Sequence, residues 1–314
     1  MRILGRSEVT AALDFPSLIE ALRRVFRGHD VVVPPRLSYS LPVPGARGGT
    51  LTIAPAWQAG RHAGVKLVTR FPDNDGLTKP PVMGQYLLFD GRTGEALALL
   101  DGPGLTARRT AAASALAASY LARPDSERLL MIGTGALASH LVEAHASVRP
   151  IRNVLVWGRD PDKAARLAQR LTRRRLSVAP TDDLQRAVNG AHVICCATPS
   201  REPVLRGHWL PLGVHVDLVG GFTPDMREAD DDTMRRARVF VDTREAALAQ
   251  AGDIIGPIAA GVMSEEDIAG DLFELTRGER GGRRFHDQIT VFKSVGAALE
   301  DLAAAKLALE NVLN

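Results

Sequence analysis

The chain has 314 residues, of which 45% are hydrophobic, and this is enough for one large domain or for two domains with their own cores. Its 39 basic and 36 acidic residues are too nearly balanced to indicate a nucleic-acid-binding surface. Its two cysteines, Cys195 and Cys196, are neighbours, so they form neither a disulfide framework nor a set of spaced metal ligands.

The N-terminal residues include no secretory apolar region, and no apolar stretch approaches the length of a membrane span. No pair of histidines has zinc-site spacing, and no histidine accompanies a serine or cysteine in a nucleophile motif. We therefore expect a cytoplasmic protein that binds no metal, no membrane and no nucleic acid.

The first 120 residues combine helical and strand patterns. Residues 15–26 have helical apolar spacing, with Pro16 near the start. Three later segments are strand-like, at residues 49–54, 63–69 and 85–90. Turns are predicted at residues 72–76 and 90–94. The alanine-rich segment 106–121 predicts a buried helix that ends before Pro124, so an α+β region and a connecting helix are expected.

An apolar run at residues 129–132 leads into the loop Gly133-Thr134-Gly135-Ala136-Leu137 and then into helix-forming residues. The first glycine permits a tight turn, Gly135 allows close approach of a pyrophosphate, and the small Ala138 lets the helix pack on the strand. The amides at the helix start would face the phosphate charge. This pattern predicts a dinucleotide-binding loop, although a tight strand-to-helix turn without a ligand has the same form.

A second apolar run at residues 153–158 is followed by Arg159 and Asp160. At this position a dinucleotide fold carries an acid for the ribose 2′-hydroxyl or an arginine for a 2′-phosphate. Because Asp160 can cap the helix that begins at Pro161, we favour Arg159 as a phosphate ligand and NADP(H) as the cofactor. NAD(H) is the alternative, with Arg159 as a solvated loop residue.

Strands and helices alternate from residue 128 onwards. The predicted strands lie near residues 129–132, 153–158, 176–179, 192–197, 214–219 and 238–242. Such alternation predicts an α/β fold with a doubly wound parallel sheet of the Rossmann type. Arg170 and the arginines at 173–175 are expected at a solvated helix end. A final helix is predicted from Ser294 to Leu313.

Six ordered motifs make the sequence similar to the ornithine cyclodeaminase/mu-crystallin family over nearly its whole length. They are Pro35-Arg36, Gly64-Val65-Lys66, residues 105–115, Gly133-Thr134-Gly135, residues 220–228 and residues 289–296. The resemblance implies a nicotinamide cofactor, a small amino- or imino-acid substrate and a homodimer. We expect residues 1–120 plus 294–314 to form the substrate-binding and dimerisation domain, and residues 121–293 the dinucleotide-binding domain.

The resemblance also assigns the substrate carboxylate to Arg36, Lys66 and Arg109. Thr106 has the character of a helix N-cap, which would place Arg109 in a first turn, where the helix dipole disfavours a cation unless an anion is bound. Arg108 lies about 100° further around the helix and is not expected in the same pocket. Lys66 and Arg109 are the candidate catalytic residues, with Lys66 as acid or proton relay. Solvent-facing side chains are the alternative for both.

Phe222 is the main departure from the cyclodeaminases of this family. The resemblance implies that those enzymes carry an aspartate at the corresponding position. A phenyl ring can accept neither a proton nor a hydrogen bond from the substrate amine. Met83 and Phe222 are therefore expected to form an apolar wall around the substrate ring. Thr198, Val219 and Ser294 are expected to contact the cofactor, and Leu137 replaces a glutamine that many family members have.

These features predict NAD(P)H-dependent reduction of pyrroline-2-carboxylate or piperideine-2-carboxylate to proline or pipecolate. Three alternatives are open. They are an ornithine cyclodeaminase, an enzyme similar to alanine dehydrogenase, and a non-enzymatic NADPH-binding protein of the mu-crystallin kind.

Overall fold

The computed structural model describes residues 1–74, 79–172 and 176–313. The chain divides into two compact units, a first unit of Met1–Thr110 with Ala297–Asn314 and a second unit of Ala111–Gly296. Part of the predicted turn at residues 72–76 and the arginines at 173–175 lie outside the described residues. In the described part of the chain, every helix is too short or too polar to cross a membrane.

The N-terminal part of the first unit contains seven strands and two helices before the long helix α3. In chain order they are β1 (Arg2–Leu4), α1 (Arg6–Ala12), α2 (Phe15–Arg27), β2 (Val31–Val32), β3 (Leu37–Leu41), β4 (Gly49–Gln58), β5 (His62–Arg70), β6 (Val82–Asp90), β7 (Ala96–Asp101) and α3 (Gly102–Leu121). The strands form one mixed sheet in the order β1-β7-β6-β5-β4-β2, and β3 pairs with β4. Among the described residues of this sheet, β1 and β7 pair in parallel and the other strand pairs are antiparallel.

The second unit alternates strands with helices, as the sequence predicts. Its elements are β8 (Arg128–Ile132), α4 (Ala138–Val148), β9 (Asn153–Trp157), α5 (Pro161–Thr172), β10 (Ser177–Pro180), α6 (Leu184–Asn189), β11 (Val193–Cys196), β12 (His215–Leu218), α7 (Asp231–Arg236), β13 (Arg238–Val241), α8 (Arg244–Gln250), α9 (Gly252–Ala259), β14 (Ile268–Asp271), α10 (Leu272–Arg277) and β15 (Thr290–Lys293). The helix α11 (Ala298–Leu313) then returns to the first unit.

The sheet of the second unit is parallel throughout and has the order β10-β9-β8-β11-β12-β15-β13-β14. The order reverses between β8 and β11, and this is the switch point at which doubly wound folds bind ligands beyond the carboxyl ends of the strands. Buried apolar side chains from β8, β11, β12 and β15 form its core. The predicted fold class is confirmed.

One face of the first unit's sheet, called the inner face, packs against α11, and α11 in turn packs against α2. Cross-strand pairing places Ala54, Lys66, Tyr86 and Leu100 side by side on the inner face. Three of these side chains are apolar or aromatic and buried. Lys66 is the exception, and its charge therefore requires a partner.

The opposite, outer face of this sheet is apolar but not covered within the first unit. Its side chains, each exposed or half-buried, are Leu37, Tyr39, Leu51, Ile53, Trp57, Val65, Leu67, Met83, Leu87 and Phe89. Tyr39 is 51% exposed and Trp57 is 38% exposed. A contiguous apolar surface of this kind is typical of an interface.

Two predicted helix starts are wrong. Helix α3 begins at Gly102 rather than Thr106, because Asp101 accepts a hydrogen bond from the Gly104 amide (2.7 Å) and so caps it. Helix α11 begins at Ala298 rather than Ser294, after Gly296 adopts a positive φ of 82°.

Candidate functional site

A buried ionic cluster in the first unit joins two of the predicted substrate-binding residues. Lys66 on β5 forms an ion pair with Asp301 on α11, with 2.6 Å between Nζ and Oδ2. Arg109 on α3 reaches the other oxygen of Asp301 through Nε (3.0 Å) and reaches Glu300 through Nη1 (2.7 Å). Asp301 therefore bridges Lys66 and Arg109, and both acidic residues are buried.

The partners of Arg109 are protein carboxylates, not a helix terminus. Because α3 begins at Gly102, Arg109 lies beyond the first turn, and the dipole argument does not apply. Burial opposes the charged form of Arg109, but Asp301 and Glu300 outweigh this and raise its pKa. The same ion pairs hold the pKa of Asp301 below its usual value despite burial.

Arg108 points elsewhere, as predicted. Its Nε donates a hydrogen bond to the carbonyl of Leu13 (2.8 Å), and its guanidinium lies 3.6 Å from the centre of the Phe15 ring. It therefore ties α3 to the start of α2.

Lys66 has an unusual protonation equilibrium. Its pKa is lowered to about 8: burial is the largest cause, the positive charges of Arg109 and Arg36 act in the same direction, and Asp301 opposes the shift. Arg36 is exposed, in the segment between β2 and β3, yet it acts on Lys66 electrostatically. The three predicted carboxylate-binding cations thus share one electrostatic environment.

Arg36, Lys66 and Arg109 are positively charged, and Glu300 and Asp301 are negatively charged. A guanidinium carries five N–H groups, and the two protein carboxylates use one at Nε and one at Nη1.

The structure does not bring Met83 to this cluster. Met83 pairs with Thr69, whereas Lys66 pairs with Tyr86, three residues further along β6. Because side chains alternate across a strand, Met83 lies on the outer face and Lys66 on the inner face. Phe222 belongs to the second unit and is 46% exposed, in the loop after β12.

The glycine loop after β8 has the geometry that a dinucleotide requires. Gly133 has a φ of 116°, and a Cβ there would lie 2.5 Å from the carbonyl oxygen of Ala197. A Cβ on Gly135 would meet no atom within 4 Å. The backbone at Gly135 therefore faces open space, as the close approach of a pyrophosphate would require. Thr134, Ala136 and Leu137 connect this loop to α4, which begins at Ala138.

The predicted roles of Asp160 and Arg159 separate in the structure. Asp160 caps α5, since its carboxylate accepts a hydrogen bond from the Lys163 amide (3.1 Å). Arg159 is exposed directly after β9. The acidic side chain is thus occupied by the helix, and the arginine is left at the position that receives the adenosine ribose in such folds.

Three further predicted cofactor residues follow adjacent strands. Thr198 follows β11, Val219 follows β12 and Ser294 follows β15. Val219 donates a backbone hydrogen bond to Cys196 (2.9 Å), and Ser294 donates one to Leu218 (3.2 Å). All three lie at the carboxyl ends of parallel strands, the edge at which doubly wound sheets bind ligands.

Sequence reasoning missed a set of buried charges behind these loops. Glu228 accepts hydrogen bonds from the amides of Thr198 (2.7 Å) and Gly220 (2.6 Å). Asp253 accepts one from the Glu228 amide (2.8 Å) and forms an ion pair with Lys293 at 3.2 Å. The motif at residues 220–228 contained Glu228, but nothing local to it indicated its contacts.

Asp217 lies in β12 and is fully buried. Its carboxylate accepts hydrogen bonds from Ser114 Oγ, His145 Nε2 and Cys195 Sγ, each at 3.0 Å. Burial and Asp217 raise the pKa of the Cys195 thiol, so it stays protonated as a donor. Asp217 therefore links α3, α4 and β11 inside the second unit.

A sequence model of the ornithine cyclodeaminase/mu-crystallin family matches residues 5–314. The chain is 40% identical over 305 residues to the Delta(1)-pyrroline-2-carboxylate reductase of Paracoccus denitrificans, covering 97% of this chain and 95% of that protein.

Two solved structures are similar to the whole chain. The Thermococcus litoralis Delta(1)-pyrroline-2-carboxylate reductase in complex with NADH and L-proline has a TM-score of 0.92 and 34% identity, covering 100% of this chain and 98% of that one. An archaeal alanine dehydrogenase dimer with bound NAD has a TM-score of 0.91 and 31% identity, covering 100% and 96%. These matches confirm the predicted resemblance, and the chain belongs to the ornithine cyclodeaminase/mu-crystallin family.

Proposed function

We propose that this chain is an NAD(P)H-dependent oxidoreductase that reduces the C=N bond of pyrroline-2-carboxylate or piperideine-2-carboxylate to give proline or pipecolate. The observation that carries the proposal is the buried cluster of Lys66, Arg109, Glu300 and Asp301, completed by Arg36. A cluster that contains Arg109 and Lys66 suits a substrate that carries a carboxylate. The pyrroline-2-carboxylate reductases among the similar proteins support the same substrate class.

Each cation has a distinct part in this proposal. Arg109 is held by Asp301 and Glu300, so its remaining N–H groups have a defined direction and bind the substrate carboxylate without a large loss of side-chain entropy. Arg36, which is exposed, binds the same substrate carboxylate. Lys66 holds a proton on a buried amine with a pKa of about 8, as required of a group that protonates the imine nitrogen or keeps it protonated.

The nicotinamide cofactor, when bound, supplies the hydride for the carbon that bears the carboxylate. The open backbone at Gly135 and the exposed Arg159 support NADP(H) as the preferred cofactor, with NAD(H) as the alternative. Replacing Arg159 with alanine should weaken NADPH binding selectively, because only NADPH carries the 2′-phosphate. Equal weakening of NADH would contradict the phosphate assignment.

We further propose that the protein is a homodimer joined through the outer face of the first unit's sheet. Leu37, Tyr39, Trp57 and Leu67 are each more than a third exposed on this face. When two such faces pack together, the apolar area removed from water stabilises the dimer by about 25 cal/mol per Å². Light scattering after size-exclusion chromatography tests this, and Trp57→Lys should shift the protein towards the monomer.

A panel of five- and six-membered cyclic imino acids with NADH and NADPH, followed by nicotinamide absorbance, tests the reaction. Ornithine and alanine belong in the same panel. Ammonia release from ornithine without net nicotinamide turnover would identify a cyclodeaminase, and pyruvate formation from alanine would identify an alanine dehydrogenase. Phe222 offers no carboxylate for the amine protons of ornithine, which is why we expect the reductase outcome.

A further inference from the structure

Glu228 connects two loops that sequence reasoning treated separately. Its Oε1 accepts hydrogen bonds from the amide (2.7 Å) and the hydroxyl (2.9 Å) of Thr198, and its Oε2 accepts one from the Gly220 amide (2.6 Å). Thr198 follows β11 and Gly220 follows β12, and these strands are neighbours in the sheet. One fully buried carboxylate therefore sets the spacing of two adjacent loops at the carboxyl edge.

The glycines of this region are closely packed against neighbouring groups. A Cβ on Gly220 would lie 2.0 Å from the Thr198 carbonyl oxygen and 2.5 Å from Glu228 Oε1. A Cβ on Gly221 would lie 2.5 Å from Asp253 Oδ2. The backbone of the second loop is therefore packed directly onto the buried carboxylates.

Further groups hold Glu228 in place. Asp253 on α9 accepts hydrogen bonds from the amides of Glu228 (2.8 Å) and Ala229 (3.0 Å), and the Glu228 carbonyl accepts from Val204 and Leu205. Lys293, at the end of β15, balances part of the negative charge through its ion pair with Asp253. The Glu228 backbone is thus fixed from two sides, and its carboxylate is aimed at the two loops.

The strand order indicates which half of the dinucleotide these loops serve. Doubly wound folds consist of two mononucleotide-binding halves, and the adenosine ribose is bound after the second strand of the first half. Here the first half is β8, β9 and β10, with Gly135 and Arg159, and the second half begins with β11 and β12. The two loops that Glu228 connects, at Thr198 and Gly220, belong to the second half, which is left for the nicotinamide nucleotide.

We infer that Glu228 is a positioning residue for the nicotinamide half of the cofactor, and that it acts by holding the loops of Thr198 and Gly220 at the spacing this half requires. The inference rests on the part of the proposed function that assigns a nicotinamide dinucleotide to the second unit. It does not depend on which substrate is reduced.

The ionisation of Glu228 provides an independent readout. Its pKa is raised to about 7: burial is the largest cause and Asp253 acts in the same direction, whereas Lys293 and the hydrogen bonds from the Thr198 and Gly220 amides oppose the shift. The buried thiols of Cys195 and Cys196 also interact with it and have raised pKa values. Both carboxylate oxygens accept backbone N–H groups, so a proton on either one removes an acceptor that a loop uses.

The test compares Glu228→Gln with Asp217→Asn by calorimetric titration with NADH and with ADP, which lacks both the nicotinamide and its ribose. Both variants neutralise a buried carboxylate that accepts three hydrogen bonds in the second unit. We expect Glu228→Gln to raise the Kd of NADH at least about tenfold and that of ADP less than about threefold. Asp217→Asn should leave both Kd values within about twofold. Equal weakening of both ligands by Glu228→Gln, or an unchanged Kd of NADH, would overturn the inference.

Amide exchange in the wild-type protein without cofactor keeps the inference testable if Glu228→Gln does not fold. The protection factors of the Thr198 and Gly220 amides should rise between pH 6 and pH 8, as Glu228 ionises, while those of residues 129–132 stay constant. Constant protection of Thr198 and Gly220 would contradict the inference. Failure of the protein to reduce imino acids would overturn the proposed function and leave this exchange result standing.

Discussion

Lys66 and Asp301 lie 235 residues apart in the chain, yet their side chains form a 2.6 Å ion pair in the first unit. The same carboxylate binds Arg109, so α11 supplies the negative charge that makes two buried cations tolerable on the inner face of the sheet. The candidate substrate site therefore depends on a helix from the end of the chain.

Replacing Arg109 with lysine should impair the reaction without affecting the cofactor. The change keeps the positive charge but removes the planar fork that contacts Asp301, Glu300 and the substrate carboxylate. We expect kcat/KM for the cyclic imino acid to fall about tenfold to a hundredfold, with the Kd of NADPH nearly unchanged. Steady-state kinetics and calorimetry measure the two quantities. Arg108→Lys is the matched control, because Arg108 contacts Leu13 and Phe15 instead, and wild-type kinetics in Arg109→Lys would rule out the role.

The activity should decrease in alkaline solution because of Lys66. Its pKa of about 8 in the free enzyme means that the amine is protonated below this pH and neutral above it. Since the charged form binds the carboxylate and holds the proton, kcat/KM should fall as the pH rises through about 8. In Lys66→Arg the positive charge persists at all accessible pH values, so the alkaline decrease in kcat/KM should disappear. Any decrease that comes from ionisation of the substrate is common to both proteins. An unchanged decrease in Lys66→Arg would assign it to another group.

Gly135→Val should separate cofactor binding from folding. A side chain at Gly135 meets no protein atom within 4 Å, so we expect the melting temperature without cofactor to change little. The branched side chain would occupy the space of the pyrophosphate, and binding of both NADH and NADPH should be lost. Calorimetry and thermal unfolding measure the two effects. A Gly135→Val protein that binds NADPH normally would show that the pyrophosphate lies elsewhere.

Gly64→Ala should destabilise the protein through Tyr86. A Cβ on Gly64 would lie 2.1 Å from the Tyr86 hydroxyl, and Tyr86 is fully buried on the inner face next to Lys66. Such overpacking typically costs about 1–3 kcal/mol of unfolding free energy. Chemical denaturation measures it, and Gly135→Ala is the control that adds the same methyl group in open space. Equal stability of the two variants would mean that Tyr86 moves without cost.

The sequence by itself determined the features that depend on local pattern. The apolar runs of the second unit and the helices between them predicted the parallel sheet, because a buried parallel strand needs a continuous apolar run. The glycine loop after β8 was visible for the same reason, since a tight turn and an open backbone are properties of consecutive residues. The helix cap at Asp101 is equally local, because the consecutive residues Asp101-Gly102-Pro103 indicate a helix start, four residues before the predicted one at Thr106.

Only the tertiary structure decided which charges meet. Glu300 and Asp301 stand in an alanine- and leucine-rich helix, and Glu228 follows a loop, so nothing in their neighbourhoods indicates that each is buried against cations or amides from distant segments. The face on which Met83 lies also depends on strand register, since a shift of one residue exchanges the two faces of a sheet. Register and ion pairing are set by packing between segments that are remote in sequence, and local residue patterns do not encode them.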